Sequence, residues 1–196
     1  MCTIGAVTQN SRTFLLKNFD YPPAPTGWAF FDTFDGGYPH FALVDHDQQG
    51  LNSGLNARGL ALQISRSKCL TNATPEREEL RTVLNAEVLT RSADVAEGLA
   101  RANHSVLGVG DNETQDSVRR YERMVDFLQE LYTWLPTLDG EDVLARCRAV
   151  LRQEPILNGN TRCSFIIDVE GGQVDYLLGQ GRWQSYWLAG VRTASR

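Results

Sequence analysis

The chain has 196 residues, of which 42% are hydrophobic, 22% charged and 9% aromatic, with a formal net charge of −5. That length suits a single domain over residues 1–196 with a buried core, and the hydrophobic fraction excludes a disordered chain. The charge argues against a protein built to hold nucleic acid or acidic lipid. No apolar run approaches the ~20 residues of a membrane helix, and the opening segment lacks the basic and apolar regions of a signal peptide. A cytoplasmic location is the default expectation.

The predicted elements begin with a hairpin. Cys2–Val7 is short and apolar, Gln9-Asn10-Ser11 is a turn cluster, and Thr13–Leu16 begins a second strand. Tyr21–Gly27 is a loop, since its prolines lack ladder donors. Strands are expected at Trp28–Phe31, His40–Val44 and Gly59–Ser65, with the glycines at 50, 54 and 59 serving tight turns and close backbone approach. Thr74-Pro75 starts a helix carrying Leu80, Val83, Leu84 and Val88, and Ser92 caps a shorter one through Ala100.

A third helix is expected over Asp116–Trp134, with Val118, Tyr121, Val125, Leu128 and Leu131 on its apolar face and Arg120 on the opposite face. Asp139 caps a fourth that ends before Pro155 and carries Cys147 on its apolar stripe. Strands at Cys163–Val169, Val174–Leu178 and Trp183–Leu188 close the chain. Strands, then helices, then strands give an α+β layered domain whose two ends share a sheet.

Cysteines stand at 2, 69, 147 and 163 without CxxC or metal-ligand spacing, which reads as unbridged thiols in a reduced compartment, with no metal site. Cys147 and Cys163 read as core residues. Cys2 differs, because an N-terminal cysteine can be its own catalytic pair. If Met1 is removed, Cys2 carries an α-amine of pKa about 7.7–8.0 beside a thiol of about 8.5. Near neutral pH the unprotonated amine takes the thiol proton, directly or through a water. With only two lysines against 17 arginines, a lysine as close to this end as Lys17 is also notable.

Further segments follow in order: Met1-Cys2-Thr3, Lys17-Asn18-Phe19-Asp20, Gly50–Leu62 with Asn56, Asn103-His104-Ser105, Asp116–Arg123 and Ser164–Asp168. In this order they resemble the N-terminal-nucleophile (Ntn) hydrolases of the choloylglycine hydrolase and penicillin V acylase type. The segment from Ser117 through Arg120-Tyr121 to Arg123 resembles their relatives, the isopenicillin-N acyltransferase group. The resemblance implies an Ntn-hydrolase-like four-layer αββα sandwich, trimmed, because the chain is short for that family.

The resemblance also implies that Cys2 is the nucleophile, Asp20 orients its amine and Lys17 stands where an arginine is usual. Asn103 matches an asparagine that binds oxyanion or substrate, and Arg120 matches a later arginine. Ser65 or Arg66 falls where the family carries an asparagine donor, and Ser65 and Asn56 complete the set as substrate-binding candidates. The implied reaction is hydrolysis or acyl transfer at a linear, non-peptide C–N amide bond of a small N-acyl amide, through a thioester and with no cofactor.

Each residue also has a plainer reading. Asp20 can end a strand, Lys17 can sit in solvent, Asn103 and Ser65 can satisfy backbone groups, and Arg120 can share a solvated face with Glu122. His40, His46 and His104 form no ligand spacing. Trp183, Tyr186 and Trp187 are expected to cover the core, with a homo-oligomer interface as their other use. The rival function is a non-catalytic protein of this fold that binds a small molecule or protein partner. A glutamine-dependent amidotransferase fragment fits less well, because Thr3 and Lys17–Asp20 follow the acylase pattern.

Overall fold

The computed structural model describes residues 2–9, 12–20, 26–32, 37–44, 51–63 and 115–188. Its strands are β1 (Cys2–Gln9), β2 (Arg12–Asp20), β3 (Gly27–Phe31), β4 (His40–Val44), β5 (Leu51–Asn56), β6 (Ala61–Gln63), β7 (Thr161–Asp168), β8 (Gln173–Leu178) and β9 (Gln184–Trp187). The helices are α1 (Gln115–Trp134) and α2 (Gly140–Val150).

The opening hairpin forms in the register Cys2↔Phe19 to Gln9↔Arg12. Its apolar residues fall on both parities of β2, so this strand must be covered on both faces. It is an interior strand in the five-stranded order β1-β2-β7-β8-β9, which joins early and late segments of the chain in one sheet, as expected. The second sheet has the order β3-β4-β5-β6. Between the sheets, Cys2, Leu15, Phe19, Cys163 and Phe165 meet Phe41, Leu43 and Leu55. On the other face of the first sheet, Val7, Phe14, Leu16 and Ile166 pack against Met124 and Phe127 of α1 and Val143, Leu144 and Cys147 of α2.

The described residues therefore supply three layers, helices on sheet on sheet. Ala42 and Val44 form a separate buried group with Ala29, Phe31 and Leu62. Strand alternation puts Ala42 and Val44 on the outer face of the second sheet, opposite Phe41 and Leu43. The helices expected between Thr74 and Ala100 lie outside the described residues. Among the described residues, no helix is long and apolar enough to cross a membrane.

Two expectations are corrected. The Gly59–Ser65 segment opens as a turn rather than a strand, because Gly59 takes a φ of 84° and Asn56 Oδ1 accepts from the Arg58 and Leu60 amides at 3.0 and 2.9 Å. The turn joins β5, which composition did not single out, to the short β6. On α1 the buried face is Ser117, Arg120, Met124, Phe127 and Leu131, while Val118, Tyr121, Val125 and Leu128 are only half-buried. Arg120 thus points at the sheet and not at solvent. Counting apolar residues alone misplaced the stripe, since its first turns are polar and satisfied by hydrogen bonds.

The close seat of α1 depends on Gly5, where a methyl group would stand 2.9 Å from Met124 Sδ. Asp139 caps α2 as expected, its Oδ1 accepting from the Asp142 amide at 2.8 Å.

His40 gives the second sheet a pH dependence. Its ring stacks on Phe31 with centroids 5.0 Å apart, and neutral Nδ1–H donates to the Tyr38 carbonyl at 3.1 Å. Burial lowers its pKa from the ordinary 6.5, so the unfolded chain binds more protons just below that pH. Stability is full above 6.5 and is lost as pH falls through it toward the folded value. Urea unfolding at about pH 7.5 and about 5.5 should show a loss in the wild type that His40→Asn, which keeps a donor, reduces.

Candidate active site

Cys2 is the first residue of β1, 5% exposed, and belongs to the core between the sheets. Because Cys2 pairs with Phe19 and Ile4 with Lys17, Lys17 is a diagonal neighbour of Cys2 on the same face. Lys17 is fully buried, which sets aside the solvent-exposed reading. Its Nζ donates to Ser53 Oγ of β5 at 3.2 Å and stands 5.2 and 5.7 Å from the ring centroids of Phe19 and Phe165. Two aromatic faces and a hydroxyl thus surround the ammonium in a place from which water is excluded.

Asp20 follows Phe19, the strand partner of Cys2, across a register shift in the β2–β7 pairing. It too is fully buried, and its partners come from α1, from the connection between α2 and β7, and from the first residue of β7. Thr161 Oγ1 donates to Oδ1 at 2.6 Å, and Asn158 Nδ2 donates to Oδ2 at 3.1 Å. Arg120 Nη1 lies 3.4 Å from Oδ2 and donates to Thr3 Oγ1 at 2.9 Å, while its Nε donates to Asp116 Oδ2 at 3.0 Å. Burial pushes the Asp20 carboxyl above its ordinary 3.8, and the donors Thr161 and Asn158 and the charge of Arg120 pull it back.

Cys2 and Lys17 therefore occupy one face of the first sheet, and Asp20 and Arg120 the other. The two groups flank the start of β1 from opposite sides, where Cys2 lies on the face of Lys17 and Thr3 accepts from Arg120 on the other. Asn56 is not brought to this place. Its side-chain oxygen closes the turn to Leu60, and alternation puts it on the face of β5 away from Leu55 and Ser53. Ser65, Asn103 and Cys69 lie outside the described residues.

Sequence reasoning missed Ser53, Asn158 and Thr161, whose contacts cross between elements far apart in the chain. The cluster Asn158-Gly159-Asn160-Thr161 before a strand was the available signal, and it reads first as a turn. Cys2, Cys147 and Cys163 form no disulfide. Burial pushes both the Cys147 and Cys163 thiols up to about 12, which leaves them inert near neutral pH.

No protein-family profile and no curated protein matches the sequence. Among solved structures, the chain resembles penicillin V acylase from Agrobacterium tumefaciens, with a TM-score of 0.62 and 9% identity over 100% of this chain and 89% of that one. It also resembles the Caenorhabditis elegans N-acylethanolamine-hydrolyzing acid amidase ortholog, with a TM-score of 0.57 and 12% identity over 86% of this chain and 92% of that one. The chain has the Ntn-hydrolase fold. The likeness expected from the ordered motifs thus holds for the architecture: two stacked sheets, with α1 and α2 on the sheet that carries Cys2.

Proposed function

We propose that the chain is an N-terminal cysteine hydrolase or acyltransferase acting on a linear C–N amide bond of a small N-acyl amide. The observation that carries this reading is the setting of Cys2, with buried Lys17 on its face of the sheet and a fully anchored Asp20 beside its strand partner. The names of the two structural neighbours, an acylase and an acid amidase, support the substrate class. A reducing, cytoplasmic setting suits three described cysteines that form no disulfide.

In this mechanism Met1 is removed and the α-amine of Cys2 accepts the thiol proton. The Cys2 sulfur attacks the amide carbon, and an S–C bond forms as the carbonyl π pair moves to oxygen. The resulting ammonium gives its proton to the leaving nitrogen, the C–N bond breaks, and an acyl thioester remains. Water, deprotonated by the same amine, then attacks the thioester, releasing the acid and restoring the thiol. An amine acceptor in place of water gives acyl transfer. Asp20 orients the amine, and the Lys17 ammonium favours the thiolate.

The test is intact-mass spectrometry of the purified protein mixed with penicillin V and, separately, with N-lauroylethanolamine. The expected result is a protein lacking Met1 that gains the mass of one acyl group on the Cys2 peptide and loses it to hydroxylamine. A protein that retains Met1 when isolated from its native host, or an adduct placed elsewhere, would overturn the reading.

A further inference from the structure

We propose that Thr161 and Asn158 are positioning residues, which fix the Asp20 carboxylate in the orientation that receives the α-amine of Cys2. This rests on the reading of Cys2 given above. A carboxylate held at one oxygen can swivel about its last torsion, but Asp20 is held at both. Thr161 anchors Oδ1, while Asn158 and Arg120 share Oδ2.

The donors are themselves fixed. Thr161 Oγ1 accepts from the Asn158 amide at 3.1 Å while its own proton goes to Asp20. Asn158 Oδ1 accepts from the Asn160 amide at 2.8 Å, which leaves Nδ2 for Asp20. The Thr161 amide donates to the Asn158 carbonyl at 3.0 Å, closing the turn. Residues 158–161 thus form a pre-set unit that faces Asp20 across the strand pair Asp20↔Thr161. The charged groups on the other side are Arg120 and, behind it, Asp116, both from α1, with the Thr3 hydroxyl between Arg120 and β1. A purely structural ion pair would need only Arg120, whereas here the shortest contact is a neutral hydroxyl that selects one carboxylate rotamer.

The test compares Thr161→Val, which removes the donor at nearly constant shape, with Thr161→Ser, which restores it, and with Asn158→Ala. Two profiles are recorded against pH for each: alkylation of Cys2 by iodoacetamide, and kcat/KM for penicillin V. Loss of a donor to the ionised carboxylate raises its pKa, so in Thr161→Val the acid limb of both should move up by about 0.5–1 pH unit. Turnover should fall roughly tenfold or more, and Thr161→Ser should return both to wild-type values. Asn158→Ala should give a smaller shift in the same direction. Unmoved acid limbs in folded Thr161→Val and Asn158→Ala would overturn the positioning role. A wild type that labels at Cys2 but forms no acyl thioester defeats the hydrolase reading instead, and the alkylation profiles still decide the role of Thr161.

Discussion

Replacing Cys2 with alanine is expected to reduce amide turnover by on the order of 10⁵–10⁶-fold, because nucleophile and base act as a unit. The same substitution should cost only about 1 kcal/mol of stability, since it deletes one sulfur from a core position at the end of a strand. Measuring kcat/KM for N-lauroylethanolamine beside a urea midpoint separates the two effects. Turnover unchanged in Cys2→Ala would remove Cys2 from the reaction. Chemical labelling should agree: with Cys147 and Cys163 pushed up to about 12, iodoacetamide near pH 8 should inactivate the protein through Cys2 among the described cysteines.

Arg120→Met should do the reverse, damaging the fold before the chemistry. The guanidinium is fully buried between Asp20, Thr3 and Asp116, and its removal leaves the Asp20 charge in the helix–sheet interface. Breaking one side of such a buried pair costs about 3–5 kcal/mol, and adding Asp20→Asn should recover part of it. The pH dependence carries a definite sign. Without Arg120 the Asp20 carboxyl rises further above its ordinary 3.8, so the folded state holds more protons than the unfolded state. The variant should be least deficient near pH 4 and grow worse as pH rises through the folded pKa. A deficit independent of pH, or additivity with Asp20→Asn, would mean that the two side chains are not coupled.

Local signals in the sequence carried much of this architecture. The apolar hairpin, the cap at Asp139 and the strand–helix–strand order each follow from short-range chemistry, and each is present. Arg120 was placed on the wrong face because periodicity scores treat a guanidinium as solvated. Its burial is decided by Asp20, 100 residues earlier, and no local window contains both. Lys17 illustrates the same limit, since only the pairing of two sheets brings Ser53 to its ammonium. The motif around Asn56 does not announce the turn that its Oδ1 closes by accepting from the Arg58 and Leu60 amides. Ser65 and Asn103, the other two polar candidates, lie outside the described residues.

The pairing of β2 with β7 has a consequence for how the protein is made. Asn158 and Thr161 reach Asp20 from 138 and 141 positions further along the chain. During synthesis Cys2 and Asp20 leave the ribosome well before the turn and strand that supply Asn158 and Thr161. A nascent or prematurely terminated polypeptide therefore carries the sulfur without the anchored carboxylate. On the proposed reading of Cys2, chemical competence waits for the pairing of β2 with β7, and shorter nascent chains are spared an active nucleophile.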